Sequence, residues 1–301
     1  MEPIIEPVDK ALLREEIGRA KELEEACRGA IKVYCIDSSF PTLLREIGRL
    51  REIAFRKGGG GTGTSCDLDK YDTDPSFKFK QLVVWDAEDE CIAGGYRFVY
   101  GYDILHKEDG QPDIPAAHLF YFTEKFRTEE GAHTMELSRS YISEDHQRNS
   151  STRKSIFVLD CLFKAICVVA RDGGMTDIFG KVTFYPDYPK EAFSLITSFM
   201  KKHCYKNDDI VPHVPYVVAQ PKEAKKLFSA KEFRANFRAL TSTFIQRKLY
   251  IPPILKSYMN LTSTMRYYGA SLNEDFGGVV EMGLIVHLPD LDNDRWSLYF
   301  K

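Results

Sequence analysis

No stretch of this chain stays apolar for the roughly 18–20 residues that a membrane-crossing helix needs. The nearest, IFVLDCLFKAICVVA (156–170), is interrupted by Asp160 and Lys164 and predicts a buried core helix. Cysteine pairing is also lacking: the seven are an odd number, none forms C-x-x-C, and no signal-peptide core precedes them. That usage predicts reduced thiols in a cytoplasmic protein. Neither sign of charge dominates, with 41 Lys+Arg against 44 Asp+Glu and a net −3. The basic face of a nucleic-acid binder is therefore not expected. The seven histidines and the cysteines are scattered without zinc spacing, so no metal is expected. A G-x-S-x-G elbow is missing, and with it the signature of an α/β-hydrolase nucleophile. There is no internal repeat and no low-complexity linker.

What is present is an ordinary globular composition, 44% hydrophobic and 28% charged, over 301 residues. That length is enough for one large domain or two small ones. Asp9 predicts a helix cap, and Leu13, Ile17 and Ala20 carry helical spacing to about residue 28. IKVYCID (31–37) is strand-like. A second helix begins near Pro41, with Leu43, Ile47, Leu50 and Ala54 on its apolar side. Arg51 falls at the border of that stripe, where taken alone it is a snorkelling surface arginine. KGGGGTGTS (57–65) satisfies G-x-G-x-x-G by letter and nearly a P-loop, with Thr64 in the lysine's place. Both motifs need a strand before and a helix after, and here a helix comes first. Nucleotide binding is rejected in favour of a flexible loop with left-handed residues, suited to closing over a substrate.

QLVVWDA (81–87) and CIAGGYRFVYG (91–101) read as an antiparallel pair, Gly94 and Gly95 marking a bulge or a close backbone approach. Further strands are expected at about 118–123, through Glu136, and at 179–186, with a helix at 190–203. The expected class is α+β, a mixed, mostly antiparallel sheet with helices on both faces. Residues 1–204 would form its core and 205–301 an extension packed on it, ending in a helix, a turn-rich piece and a final strand over 252–288. From Lys222 to Lys248 there are eight Lys/Arg and two acids, and Phe233, Phe237, Leu240 and Phe244 make a helical stripe. Such a segment (222–248) suits an acidic partner or peripheral contact with the inner membrane face. It equally suits a stripe facing the core with a solvated basic back.

The stretch ELSRSYI (136–142) draws most attention. Regular alternation puts Glu136, Ser138, Ser140 and Ile142 on one side of a strand and Leu137, Arg139 and Tyr141 on the other. Upstream, Asp67, Asp69, Asp72 and Asp74 cluster without the glycine and closing glutamate of a calcium-binding EF-hand.

LREIAF (50–55), DKYD (69–72), AGGYRF (93–98) and ELSR (136–139), in this order and spacing, resemble the acyl-homoserine-lactone synthases. They also resemble the acyl-carrier-protein-dependent amino-acid N-acyltransferases that make ornithine and glycine lipids. YISEDHQRN (141–149), SIFVLDCLFKAI (155–166), FGKVTFYP (179–186) and MNLTSTMRYYGASLNEDFGGVVEMG (259–283) are similar to longer members once labelled putative hemolysins. The long C-terminal part sets the chain apart from the compact lactone synthases. The resemblance implies a GNAT-like fold and an N-acyltransferase with no permanently bound cofactor. Its donor would be acyl-ACP, the 4'-phosphopantetheine thioester of acyl carrier protein, often carrying a 3-hydroxy fatty acyl chain. Its acceptor would be the amine of a small amino acid, glycine ahead of ornithine.

The same resemblance implies roles for particular residues. Glu136 would remove the proton from the acceptor amine. Arg139 or Arg97 would hold the amino-acid carboxylate, and Ser138 would line the substrate site. Asp69 and Asp72 would join Arg51, Arg97 and Arg139 in a polar network that orients or contacts substrate. Backbone amides near 141–143 would receive the oxyanion. Coenzyme-A-binding relatives wrap a pyrophosphate with Q/R-x-x-G-x-G/A, whereas Ser150-Ser151-Thr152 stands here where that loop has its glycines. The crowding ranks acyl-CoA behind acyl-ACP, whose acidic surface Arg148, Arg153 and Lys154 would meet. Two rivals stand beside this reading: a coenzyme-A-dependent GNAT enzyme, and a non-catalytic lipid-binding or membrane-active protein.

Overall fold

A computed structural model describes residues 1–147, 155–204 and 208–291. Its strands are β1 (Lys21–Ala26), β2 (Ile31–Ile36), β3 (Lys80–Asp86), β4 (Cys91–Val99), β5 (Phe120–Phe122), β6 (Thr134–Ile142), β7 (Asp177–Phe184), β8 (Ile210–Pro212), β9 (Arg266–Asn273) and β10 (Val279–His287). Eight of them form one sheet in the order β1-β2-β3-β4-β6-β7-β10-β9. Every neighbouring pair is antiparallel except β6–β7, which is parallel. β5 pairs with β8 in a separate small sheet.

The helices are α1 (Lys10–Ile17), α2 (Pro41–Lys57), α3 (Lys70–Thr73), α4 (Glu124–Glu129), α5 (Ser155–Asp172), α6 (Lys190–His203), α7 (Ala224–Leu227), α8 (Phe233–Gln246) and α9 (Pro253–Leu261). α1 and α2 cover one face, where Leu13, Leu43 and Ile47 pack with Val83, Trp85 and Tyr141. The first turn of α2 has no side-chain cap of its own. Glu16 supplies one from α1, accepting from the amides of Thr42 and Leu43, where a carboxylate also meets the positive end of the helix dipole. α5, α6, α8 and α9 cover the other face, burying Val158, Leu162, Ile166, Phe199 and Leu240 against Val33, Leu82, Phe98 and Leu137. This is the mixed, mostly antiparallel sheet with helices on both faces that the sequence leads one to expect. No helix among the described residues is long and apolar enough to cross a membrane.

One difference from the expectation, the end of the first helix, and two further placements have physical causes. The first helix stops at Ile17 instead of near residue 28, and KELEEA (21–26) is strand β1. Its Glu-rich composition favours helix locally, but the outermost strand of a sheet tolerates charge and gains a ladder with β2. The phenylalanine stripe of α8 faces inward. Phe233 and Phe237 contact the ring of Phe199 on α6, so the apolar side of 222–248 is spent on the core. Finally, β10 pairs with β7 from Val280–Phe184 to His287–Asp177, so the sheet runs continuously across the expected boundary at 204/205. A chain ending at residue 204 is expected to leave the β7 edge and the outer face of α6 bare and to lose cooperative melting. Circular dichroism melts of the two chains check this, and a soluble, cooperatively melting 1–204 fragment would show that the core folds without the extension.

Candidate active site

β6 and β7 pair only over Thr134–Leu137 with Asp177–Gly180. β6 then continues to Ile142 and β7 to Phe184 without meeting, and the sheet forks. The cause lies on the other edge of β6. Its register with β4 slips between Gly95 and Arg97, so that Arg139 and Ser140 together oppose Tyr96, and Arg139 takes a left-handed φ of 56°. Such a bulge leaves its extra residue outside the ladder and bends the strand. It also breaks the expected alternation. Leu137 lies in the α5 core and Tyr141, four residues on, in the α2 core on the opposite face. Glu136 and Arg139, expected in separate environments, consequently reach one charge network. Gly94 lets β6 come this close, since an added Cβ would stand 2.7 Å from the Tyr141 carbonyl oxygen, and at Gly95 a Cβ would stand 2.6 Å from the Leu82 carbonyl oxygen of β3 and 3.1 Å from the Tyr141 ring of β6.

The fork opens a cleft of about 370 Å³ through the sheet. Its walls include the β6 edge Ser138–Ile142, Lys181 and Thr183 of β7, Glu281 of β10, and the rings of Tyr185 and Phe276. A second cavity of about 410 Å³ is mostly apolar, with Ile104, Ile114, Phe122, Phe126 and Phe179 around it and Glu136 in its wall. The two spaces abut, since Pro115 and Ser138 line the first while Ile114 and Glu136 line the second.

Between α2, α3 and the sheet lies a buried lattice of charges. DKYD begins α3 as a capping box: Asp69 accepts from the Tyr71 amide and Asp72 from the Asp69 amide. The same capping oxygens also accept from arginine. Arg97, fully buried, donates from Nη1 to Asp69 Oδ1 at 2.7 Å and Asp72 Oδ2 at 2.9 Å, and from Nε to Ser138 Oγ at 3.1 Å. The rings of Tyr71 and Phe79 lie 5.5 and 5.4 Å from its guanidinium carbon. Arg51, fully buried as well, bonds Asp72 and Gln81. It braces the lattice from below and lines neither cavity, which is not the place of a surface arginine. Burial opposes the charge on Asp72, but Arg51 and Arg97 hold its carboxyl far below the usual carboxylate range. Arg139 lines the cleft, stacks over Phe276 at 5.0 Å, and pairs with Asp67 at 3.1 Å and Asp69 at 3.9 Å. Burial nonetheless pushes Asp67 upward.

Glu136 is the exception in this lattice. It is 2% exposed, and neither carboxylate oxygen has a hydrogen-bond partner among the described residues. Burial raises its pKa, opposed by the charges of Lys181 and Arg97 and by the nearby Ser138 hydroxyl, which stands outside hydrogen-bond geometry to either oxygen. A carboxyl in that state takes up a proton more readily than a solvated one.

The structure thus brings Arg51, Asp69, Asp72, Arg97, Ser138, Arg139 and Glu136 together. Arg148, Arg153 and Lys154 lie outside the described residues. Of the expected oxyanion amides, that of Ser143 donates to the Ala93 carbonyl, and Ile142 stands six residues from Glu136, up to ~20 Å at about 3.3 Å per residue. The bulge at Arg139–Ser140, outside the β4–β6 register, lies nearer. The glycine loop does contain left-handed residues, Gly59, Gly61 and Gly63, but it is tied down. Buried Glu52 accepts from the amides of Thr62 and Gly63, and Gly58 packs under the Tyr185 ring so tightly that a Cβ would sit 2.6 Å from it. Gly58→Ala is expected to displace Tyr185 from the cleft wall and lower turnover with little change in melting temperature; unchanged kinetics would show that Tyr185 has slack.

Lys181 and Glu281 were not among the residues the sequence picks out. Their signal was a lone charge inside an apolar run, in FGKVTFYP and in VVEMGLIV, which reads as a buried ionisable group only once both strands are central.

A model of the acetyltransferase (GNAT) domain family matches residues 50–155. The sequence is 37% identical to a glycine N(alpha)-acyltransferase of Bacteroides thetaiotaomicron, over 98% of this chain and 88% of that protein. It is 35% identical to a protein of the same name from Phocaeicola vulgatus, over 98% and 91%. Among solved structures, FeeM, an N-acyl amino acid synthase from uncultured soil microbes, overlays with a TM-score of 0.43 at 8% identity, covering 86% of this chain and 92% of that one.

Proposed function

We propose, since this chain belongs to the glycine N(alpha)-acyltransferase family and is an N-acyltransferase, that it joins a fatty acyl group to the amine of glycine in aminolipid synthesis. The donor in this reading is acyl-ACP, with a (3-hydroxy)acyl chain. The observation that carries it is the fork: a cleft through the sheet, edged by backbone outside the ladder, with a buried carboxyl that accepts no hydrogen bond in the wall of the apolar cavity beside it.

The pantetheine arm would lie along Ser138–Ile142, and the acyl chain would enter the apolar cavity beside Glu136. Glu136 takes a proton from the glycine ammonium. The freed amine attacks the thioester carbon, forming the C–N bond, while the bulge amide donates to the oxyanion. Collapse breaks the C–S bond, the nitrogen passes its second proton to the departing thiolate to leave amide and thiol, and Glu136 releases the first proton to solvent. Carrier-protein delivery is supported by the sequence Ser150-Ser151-Thr152, which lacks the glycines of a pyrophosphate loop.

Initial rates with one acyl chain presented on acyl carrier protein and on coenzyme A test the donor. The carrier-protein form is expected to win by about tenfold or more in kcat/KM, equivalent to ~1.4 kcal/mol of extra recognition. Equal rates, or a preference for coenzyme A, would remove the carrier protein from the reading and leave N-acyl transfer standing.

A further inference from the structure

Lys181 and Glu281 both line the cleft and are largely buried, with side-chain exposures of 12% and 8%. Yet Nζ and Oε2 stand 3.6 Å apart, longer than the ~2.7–2.9 Å of a charge-assisted hydrogen bond. Asn273 holds Glu281 from behind, donating from Nδ2 to Oε1 at 2.9 Å, and Oε2 is the oxygen toward Lys181. Lys181 continues the β6–β7 register one step beyond Leu137–Gly180, which places it beside Ser138 where the fork opens. A buried pair recovers its desolvation cost only when its geometry is tight. This one is held open, inside a cavity.

We infer that the pair seats the two charges of the acceptor: Lys181 Nζ donates to the carboxylate of a free α-amino acid, and Glu281 Oε2 accepts from its ammonium. The inference rests on the N-acyltransferase reading and deepens it by naming what recognises the acceptor. A zwitterion fits where a cation and an anion face each other across a gap they do not close themselves. The position also serves the chemistry, because the charge of Lys181 acts on Glu136 and the bulge lies on the strand opposite. The arginines first considered for the carboxylate are otherwise engaged. Arg97 gives Nε and Nη1 to Ser138, Asp69 and Asp72, and although its Nη2 has no partner it lines neither cavity; Arg139 pairs with Asp67 and stacks on Phe276.

Glycinamide, which keeps the amine and lacks the carboxylate, is the probe. With the full chain and acyl-ACP, Lys181→Met is expected to raise KM for glycine by roughly 10–100-fold, the worth of one charged hydrogen bond, without changing KM for the donor. It should also erase most of the preference for glycine over glycinamide, whereas Lys181→Arg keeps it. The different basicity of the two amines enters wild type and variant alike and cancels in the comparison. Glu281→Gln should weaken both acceptors together. Should a single variant unfold, Lys181→Met/Glu281→Gln leaves no unpaired charge and should show the same loss of preference. An unchanged preference in Lys181→Met, or its loss in Arg139→Met instead, overturns the inference while glycine acylation stands. A wild-type protein that acylates no amino acid from either thioester overturns the parent reading, and this one with it.

Discussion

Glu136→Gln is expected to cut N-acyl transfer by roughly 10²–10⁴-fold, the range for removing a positioned general base, while donor binding stays as it was. Glutamine fills the same space and keeps polar atoms toward the cavity, but it takes no proton from an ammonium. The pH dependence follows from the raised pKa of the carboxyl, whose ordinary value is 4.5. Activity in the wild type should climb with pH as Glu136 ionises, with its midpoint above 4.5, and the glutamine variant should lack that limb. Stability moves the other way. Between the unfolded and folded pKa the native state holds a proton that the unfolded chain has released, so the native state loses ground as pH rises. The variant is therefore expected to melt higher than wild type at pH 8, with the gap closing toward pH 4. Mass spectrometry of the acylated amino acid, run beside the melts, separates the outcomes: equal product from both proteins removes Glu136 as the base, whatever the melts show.

Asp72→Asn should have the largest effect on stability. Its carboxylate is shared by Arg51, Arg97 and Gln81 and also caps α3. Neutralising it leaves two fully buried guanidinium groups short of a counter-charge, a loss of about 3–5 kcal/mol by comparison with other broken buried pairs. Against a typical net stability of 5–15 kcal/mol, that leaves the chain marginal, and at about 2–4 °C per kcal/mol the melting temperature should fall by roughly 6–20 °C. Acid should act in the same direction. The Asp72 pKa is depressed, so its contribution is complete above the unfolded value of 3.8 and fades as pH falls toward the folded one. A melt within a degree of wild type would mean that Asp69 carries Arg97 alone.

Much of this was readable locally. The helix through Arg51, the hairpin around Glu88–Glu90, the strand of Glu136, the apolar helix after it and the strand at 179–186 follow from spacing and turn residues. So does the charge network in outline, because D-x-x-D before a short helix is a capping pattern that leaves two carboxylate oxygens over. The strand β1 was hidden by its glutamates, whose preference for helix is overridden at a sheet edge. The final strand, β10, was expected, but β9 fell in the piece read as turn-rich, and nothing within 252–288 states that this hairpin pairs with β7, far earlier in the chain.

By itself, then, the sequence determined the class of fold and which acids and arginines are available to one another. The tertiary structure decided how they are used. The bulge at Arg139 has no local signature, for it arises when Gly94 and Gly95 let two strands approach and one carries a residue more than the other. From that single extra residue come the fork, the cleft, and the meeting of Glu136 with Lys181. The opposing charge of Glu281 reaches them on a strand that long-range pairing alone brings into the middle of the sheet.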